Sequence, residues 1–380
     1  MQEHAFDRED SHVMKGIGIV LMLMHHLWGF PDRIAGGGLR SLLTFGDQSA
    51  AVYLGTFGRI CVSLFFFLGG YGLACRYRGR RFDLIGRIRG LYLSYWKVFL
   101  IFIPIAFLFF RHQPVYCGNE GICSRYAVFS REELFQNFLG LSTSYNEEWW
   151  FLQSYVGAII LFPVIRFLCD RFSAAGAFAL TLAASVLMQN VFPALGNLSS
   201  LGSPNGNYLY YALLGQGGPH FICFWMGVLM AKDGLLLRLR ASMESHALLR
   251  PLPELLLIAG IVYLRESGPG DTLDFLYVPV LTVVSLDLLR KLSPLRRVAR
   301  RLGEESTNMW LIHTFLCYYF YQTARLVAAP GWAVPSLAIL VAASYACAAA
   351  VTYFWRLAGR ISGAARKTPM NRKEGSCLQK

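Results

Sequence analysis

The chain has 380 residues, of which 55% are hydrophobic and only 16% charged, where a soluble domain carries about 25% charged residues. Lys and Arg exceed Asp and Glu by 36 to 23, a formal net charge of +13. The basic residues sit between long apolar runs, so a membrane topology explains them and a nucleic-acid partner is not implied.

A helix needs about 20 residues to cross the hydrocarbon. Apolar runs at 14–30, 51–75, 91–111, 149–168, 172–190, 208–230, 252–265, 273–289, 306–328 and 333–355 predict an all-α polytopic membrane protein, with about ten spans in a single bundle. The first run lacks a small-residue cleavage site and reads as a retained helix, not a signal peptide. The seventh is the shortest and ends at Arg265 and Glu266. Charge supports counting it. Arg76, Arg78, Arg80, Arg81, Arg87 and Arg89 fall on one set of connections, and so do Arg290, Lys291, Arg296, Arg297, Arg300 and Arg301. Loop 191–207 on the opposite side carries no formal charge. Positive charge inside then predicts both termini in the cytoplasm. The membrane domain is placed at 1–360 and a basic cytoplasmic tail at 361–380. Loop 112–148 is the largest external segment. A short helix is expected over 130–141, with Ser130 as its cap and Glu133 three residues on. Cys117 and Cys123 share this loop; a disulfide and two free thiols both fit. No cysteine spacing suits zinc, and no Walker loop, dinucleotide fingerprint or HExxH occurs, so no metal is expected.

Polar residues inside apolar runs carry the functional argument. In the first helix Lys15 and His26 are eleven residues apart, roughly 16 Å along the axis and close to one face. His26 fits a general base near neutral pH or a hydrogen-bonded structural histidine. His25 points about 100° away and suits packing or orientation. Gly16, Gly18 and Gly29 permit close helix approach. Arg59 is an outer-side cation in the second helix. Gly69, Gly70 and Gly72 allow a groove, a bend or plain packing. Arg87 and Arg89 suit a phosphorylated cofactor or simple topology. Glu147 and Glu148 open the fourth helix, where the helix dipole favours them; either could also orient a histidine or bind an acceptor sugar. Asn308 and His313 enter the ninth helix from the inner side, to line a cofactor channel or bond a neighbour. Asp274 is a candidate partner for His26.

These pieces together resemble the acyltransferase 3 family of membrane O-acyltransferases, in the flavour found beside bacterial capsule and exopolysaccharide genes. The likeness covers roughly 11–355. It rests on Lys15 with His26, the stretch SLFFFLGGYG at 63–72, Arg87 and Arg89 before LYLSYW, WWFL at 149–152, and the run from Leu302 to His313 ending WLIH. Lys15 stands where the family more often has arginine, Gly69 where it has serine and Leu93 where it has proline, and Gly90 interrupts the paired-basic motif. The resemblance implies catalysis by His26 and Lys15, with Arg87, Arg89 and His313 at the cofactor. It implies a cytoplasmic acyl-CoA donor, commonly acetyl-CoA. The acceptor is then a hydroxyl on a surface or lipid-linked glycan, modified at a bacterial cell membrane. Direct transfer and an acyl-histidine intermediate both fit, and self-association stays open. The rival from another class is a glycan transporter or flippase, which would share the spans and buried polar groups; no repeat halves are seen.

Overall fold

The computed structural model describes residues 6–34, 36–112, 125–191, 218–268 and 270–361. The Cys117 and Cys123 pair, nearly all of the loop 191–207 and all but the first residue of the expected tail lie outside the described residues. So does the first half of the run 208–230.

The described helices are, in order, α1 (Arg8–Trp28), α2 (Ala50–Gly58), α3 (Ile60–Arg76), α4 (Leu84–Phe109), α5 (Arg131–Phe138), α6 (Trp150–Arg171), α7 (Ala174–Val186) and α8 (Gly218–Ala231). They continue with α9 (Leu235–Ser245), α10 (Pro251–Ser267), α11 (Asp274–Lys291), α12 (Ser293–Glu304), α13 (Ser306–Thr314), α14 (Tyr321–Ala328) and α15 (Ala333–Ile361). A small antiparallel hairpin pairs β1 (Thr44–Phe45) with β2 (Gln48–Ser49). Local chemistry starts several helices. The Asp7 carboxylate accepts from the Asp10 N–H at 2.8 Å, and Ser130 Oγ accepts from the Glu133 N–H at 3.3 Å, each satisfying an orphan donor of a first turn.

Among the described residues, six helical stretches are long and apolar enough to cross a membrane: Ala50–Arg76, Leu84–Phe109, Glu147–Arg171, Gly218–Ser245, Gly270–Lys291 and Ala333–Arg360. The chain is a helical membrane protein. Four of the ten expected runs are not among these six, each for a visible reason. In α1, Lys15, His25 and His26 lower the mean hydropathy. α7 has 13 residues before the helix widens into a π turn. α10 has 17 residues and ends in the buried, ion-paired Arg265. The run 306–328 is not one helix. After α13 the backbone widens into a π turn at Phe315–Tyr319, and Phe320 is extended at φ −104° and ψ 106° before α14 begins.

Apolar side chains gain little from helix contact in lipid, so close backbone approach and polar links matter more. Three glycine crossings set the bundle. α1 meets α12 where a Cβ on Gly16 would overlap the Ala299 carbonyl and one on Gly303 would overlap the His12 carbonyl. α3 meets α8 at Gly70 against Phe224 and at Gly227 against Phe67. α1 meets α2 at Gly29 and Gly55, and at Gly58 against Leu21. Asp10, 2% exposed, adds ion pairs to Arg290 at 2.9 Å and Arg296 at 3.0 Å, tying α1 to α11 and α12. These contacts gather Arg8, Arg76, Arg290 and Arg296 at one end of the bundle, the basic end below.

Overpacking a tight contact costs about 1–3 kcal/mol, and backbone overlap lies at the upper limit. Gly303→Val should therefore lower the thermal midpoint of the purified protein by several degrees. Gly260→Ala, whose added Cβ meets nothing within 4 Å, should leave it nearly unchanged. Equal midpoints would show that the α1–α12 crossing tolerates a side chain.

Candidate active site

A cavity of about 710 Å³ runs into the bundle from the basic end, between α1, α3, α4, α6 and α13. Arg8, Lys15, Arg76 and Arg87 line its basic end, with Asp7 the one acidic residue among the described lining residues. Deeper in, Met22, Phe65, Phe151, Tyr155 and Trp310 form an apolar throat. Lys15 and Arg87 are thus both placed in the cavity. Arg87 Nε donates to the Tyr77 hydroxyl at 3.1 Å, and its guanidinium lies 5.2 Å from that ring. Arg89 is exposed and is not in the lining. The three glycines of the SLFFFLGGYG stretch divide their roles. Gly70 packs on α8, Gly72 faces open space, and a Cβ on Gly69 would overlap the Tyr155 hydroxyl. A serine at 69 would need Tyr155 to move.

The throat stops about one helical turn short of two histidines. Met22 precedes His26 by one turn of α1, and Trp310 precedes His313 by nearly one turn of α13. The His26 and His313 ring centroids are 5.0 Å apart. Phe30 stacks on His26 at 6.0 Å, and the Tyr318 hydroxyl donates to the His26 carbonyl. His26 Nδ1 and His313 Nε2 are both buried without a hydrogen-bond partner. His313 Nδ1 donates to the Trp310 carbonyl at 2.7 Å. His313, expected to line a cofactor channel or bond a neighbour, is not among the residues that line the cavity and sits beside His26. His25 faces the other way and donates from Nδ1 to the Gly55 carbonyl at 2.8 Å, across the α1–α2 crossing.

Beyond His26, at the end opposite the basic one, lies a charged cluster. Arg33 pairs with Glu148 at 3.3 Å, and Arg125 pairs with Glu147 at 2.9 Å. The Tyr319 hydroxyl donates to Glu148 as well. Arg33 also lies over the Phe30 ring at 4.6 Å and near Tyr318 at 5.7 Å. Glu148 therefore reaches the His26 region through Arg33 and the tyrosines, with no bond to the imidazole. Glu147 stays at the rim.

Three other expected residues are placed elsewhere. Asp274 is not the partner of His26. It accepts from Arg265 Nε at 2.8 Å and from the Ser63 hydroxyl at 2.6 Å, and Ser63 Oγ is in turn 2.8 Å from His220 Nδ1. A carboxylate on α11 facing α3 and α10 is committed before it can reach α1. Arg59 pairs with Asp271 at 3.4 Å. Asn308 donates to Thr352 at 2.9 Å and Glu305 at 3.2 Å, a link to α15 and not a cavity contact.

Sequence reasoning missed Arg33, Trp310, Tyr155, Tyr318 and Tyr319. Arg33 read as a loop charge and the aromatics as ordinary apolar filling. The spacing of Trp310 to His313 was the one available signal. Among the described residues no group of three His, Cys, Asp or Glu is placed to hold a metal.

No curated protein and no solved structure matches the chain significantly. A family model does: Acyl_transf_3, described as an acyltransferase domain, matches residues 8–353. That range takes in every cavity-lining cation and aromatic named above, both histidines, and the Arg33–Glu148 cluster. The chain belongs to the acyltransferase 3 family, and its chemistry is acyl transfer.

Proposed function

We propose that the chain transfers an acetyl group from acetyl-CoA to a hydroxyl of a cell-surface or lipid-linked glycan. It does so as a multi-pass O-acyltransferase of the bacterial cytoplasmic membrane, with both termini cytoplasmic. The observation that carries this reading is the cavity, which has four cations at one end and leads through an apolar throat to within one helical turn of His26. The phosphates of an acyl-CoA suit Arg8, Lys15, Arg76 and Arg87, since charge-assisted contacts to phosphate are the strong ones. Its pantetheine arm is long enough to span the roughly 16 Å between Lys15 and His26. The positive-inside bias supports the basic end as the cytoplasmic one.

The chemistry follows from what each end offers. The thioester rests past Trp310, and the acceptor hydroxyl arrives from the opposite side, past Arg33 and Glu148. His26 takes the hydroxyl proton as the oxygen attacks the thioester carbonyl. Collapse of the tetrahedral adduct breaks the C–S bond, and the proton on His26 passes to the departing CoA thiolate. Lys15 holds a cofactor phosphate and takes no part in proton transfer.

Membrane vesicles containing the protein should move radiolabelled acetyl from acetyl-CoA into the glycan fraction and release free CoA. His26→Ala should cut that transfer by about 100-fold or more, the usual scale for a general base. Undiminished transfer by His26→Ala would remove the base role, and glycan export without consumption of acetyl-CoA would overturn the donor assignment.

Arg87→Ala removes one charge-assisted contact and should raise the KM for acetyl-CoA about tenfold while kcat changes little, the pattern of lost uniform binding. Arg89→Ala should behave like the wild type, because its side chain lies outside the cavity. The reverse ranking in steady-state kinetics would move the phosphate site off the Arg8–Lys15–Arg76–Arg87 cluster.

A further inference from the structure

Two buried imidazoles face one another past the throat, and the hydrogen-bond arithmetic of the second is closed except at one atom. His313 is fully buried. Its Nδ1 lies 2.7 Å from the Trp310 carbonyl oxygen, which can only accept. Nδ1 therefore carries the proton, and a neutral imidazole has one N–H. The Nε2 of His313 is left as a lone pair, buried and without a partner. Across from it, at a centroid distance of 5.0 Å, His26 has its own buried and unpartnered nitrogen, Nδ1.

The other groups near His26 Nδ1 are each engaged with a different partner. His25 donates its Nδ1–H to the Gly55 carbonyl. The Tyr318 hydroxyl donates to the His26 backbone, and Arg33 pairs with Glu148. An unsatisfied buried polar atom costs about 1–3 kcal/mol, and a bond between these two nitrogens would satisfy both at once. We propose that His313 is a positioning residue for His26: its Nε2 accepts from the His26 Nδ1–H, which leaves the His26 lone pair on Nε2, toward the acceptor hydroxyl.

This inference rests on His26 as the base and adds the group that selects its tautomer. When His26 Nε2 takes the hydroxyl proton, the imidazolium keeps its Nδ1–H on His313 Nε2. When the proton leaves Nε2 for the CoA thiolate, the same tautomer is restored. His313 neither gains nor loses a proton in the cycle. Its anchor is the carbonyl of Trp310, whose side chain forms the throat wall, so the donor side of the cavity and the tautomer of the base share one residue.

Nitrogen NMR on isotope-labelled histidine in the bilayer-embedded protein tests this without any donor or acceptor substrate. His26 resonances are assigned by replacing single histidines. In the wild type the His26 proton should reside on Nδ1 and show a coupling to His313 Nε2. His313→Phe, which keeps an aromatic ring but no acceptor, should move proton density to His26 Nε2. His313→Gln, whose amide oxygen can accept, should restore the wild-type pattern. In turnover, His313→Phe should lower kcat by about tenfold or more with the acetyl-CoA KM unchanged. A wild-type His26 proton on Nε2, or the same tautomer in wild type and His313→Phe, would overturn the proposal. The wild-type spectrum decides even if the phenylalanine variant does not fold. Failure there leaves His26 as the base untouched, whereas full transfer by His26→Ala would end the base reading whatever the spectrum shows.

Discussion

The backbone contact of α1 with α12 governs where everything else in the site can be. Gly16 lies against the Ala299 carbonyl and Gly303 against that of His12, and the buried Asp10 locks the same crossing with two arginines. With the inner half of α1 fixed this closely, its face carrying Lys15, Met22 and His26 is turned toward α3, α6 and α13. The cavity is the space left along that face. Its outer half is fixed by a second glycine crossing, with α2, where the His25 N–H caps a carbonyl that the crossing brings near. A first helix pinned at both halves can present a cation at one end and an imidazole at the other without drifting.

The helical periodicity of α1 made this much legible in the sequence. Lys15 and His26 are eleven residues apart on one regular helix, so their common face needs no knowledge of any neighbour. The cap at Ser130 is legible from its local sequence alone, with Glu133 three residues on. What was not legible depends on which helix lies beside which. Asp274 falls near His26 in depth, yet α3 and α10 reach it first with Ser63 and Arg265. The depth of His313, counted along the run 306–328 from its inner start, put it on the inner side, whereas its ring lies 5.0 Å from that of His26. The π turn at Phe315–Tyr319 breaks that run with no proline or glycine within it to signal the break. Arg89 is adjacent to Arg87 in purpose but two residues on, which turns it about 200° around the helix and away from the cavity.

The two buried polar clusters at membrane depth differ in how completely they are paired. The Arg265–Asp274–Ser63 chain satisfies its carboxylate from two donors. Removing either donor would leave a charge buried in a low-dielectric interior, the costly case for such a pair. That is the pattern of a clamp between α10, α11 and α3. At His26 Nδ1 and His313 Nε2 a ring nitrogen is without a bonded partner, and the rings are held by other contacts: the Trp310 carbonyl at Nδ1 for His313, aromatic faces and a tyrosine bonded to the main chain for His26. Orientation without saturation suits groups that exchange partners during a reaction.

That contrast also bears on how a membrane acyl transfer can avoid leaking its donor. On the proposed reading the thioester and the hydroxyl enter from opposite ends and meet at His26. The throat formed by Met22, Phe65, Phe151, Tyr155 and Trp310 is apolar, so water gains little by entering it, and a thioester held there meets few hydroxyls besides the intended one. The far side is sealed by pairing: Arg33 with Glu148 and Arg125 with Glu147 occupy the approach. An incoming sugar hydroxyl has to exchange with those ion pairs to reach His26, and it can do so because it both donates and accepts. An anion or an apolar molecule offers only part of that exchange. Selection of a hydroxyl acceptor and exclusion of solvent then follow from one arrangement, with the imidazole pair at the single place where the two routes join.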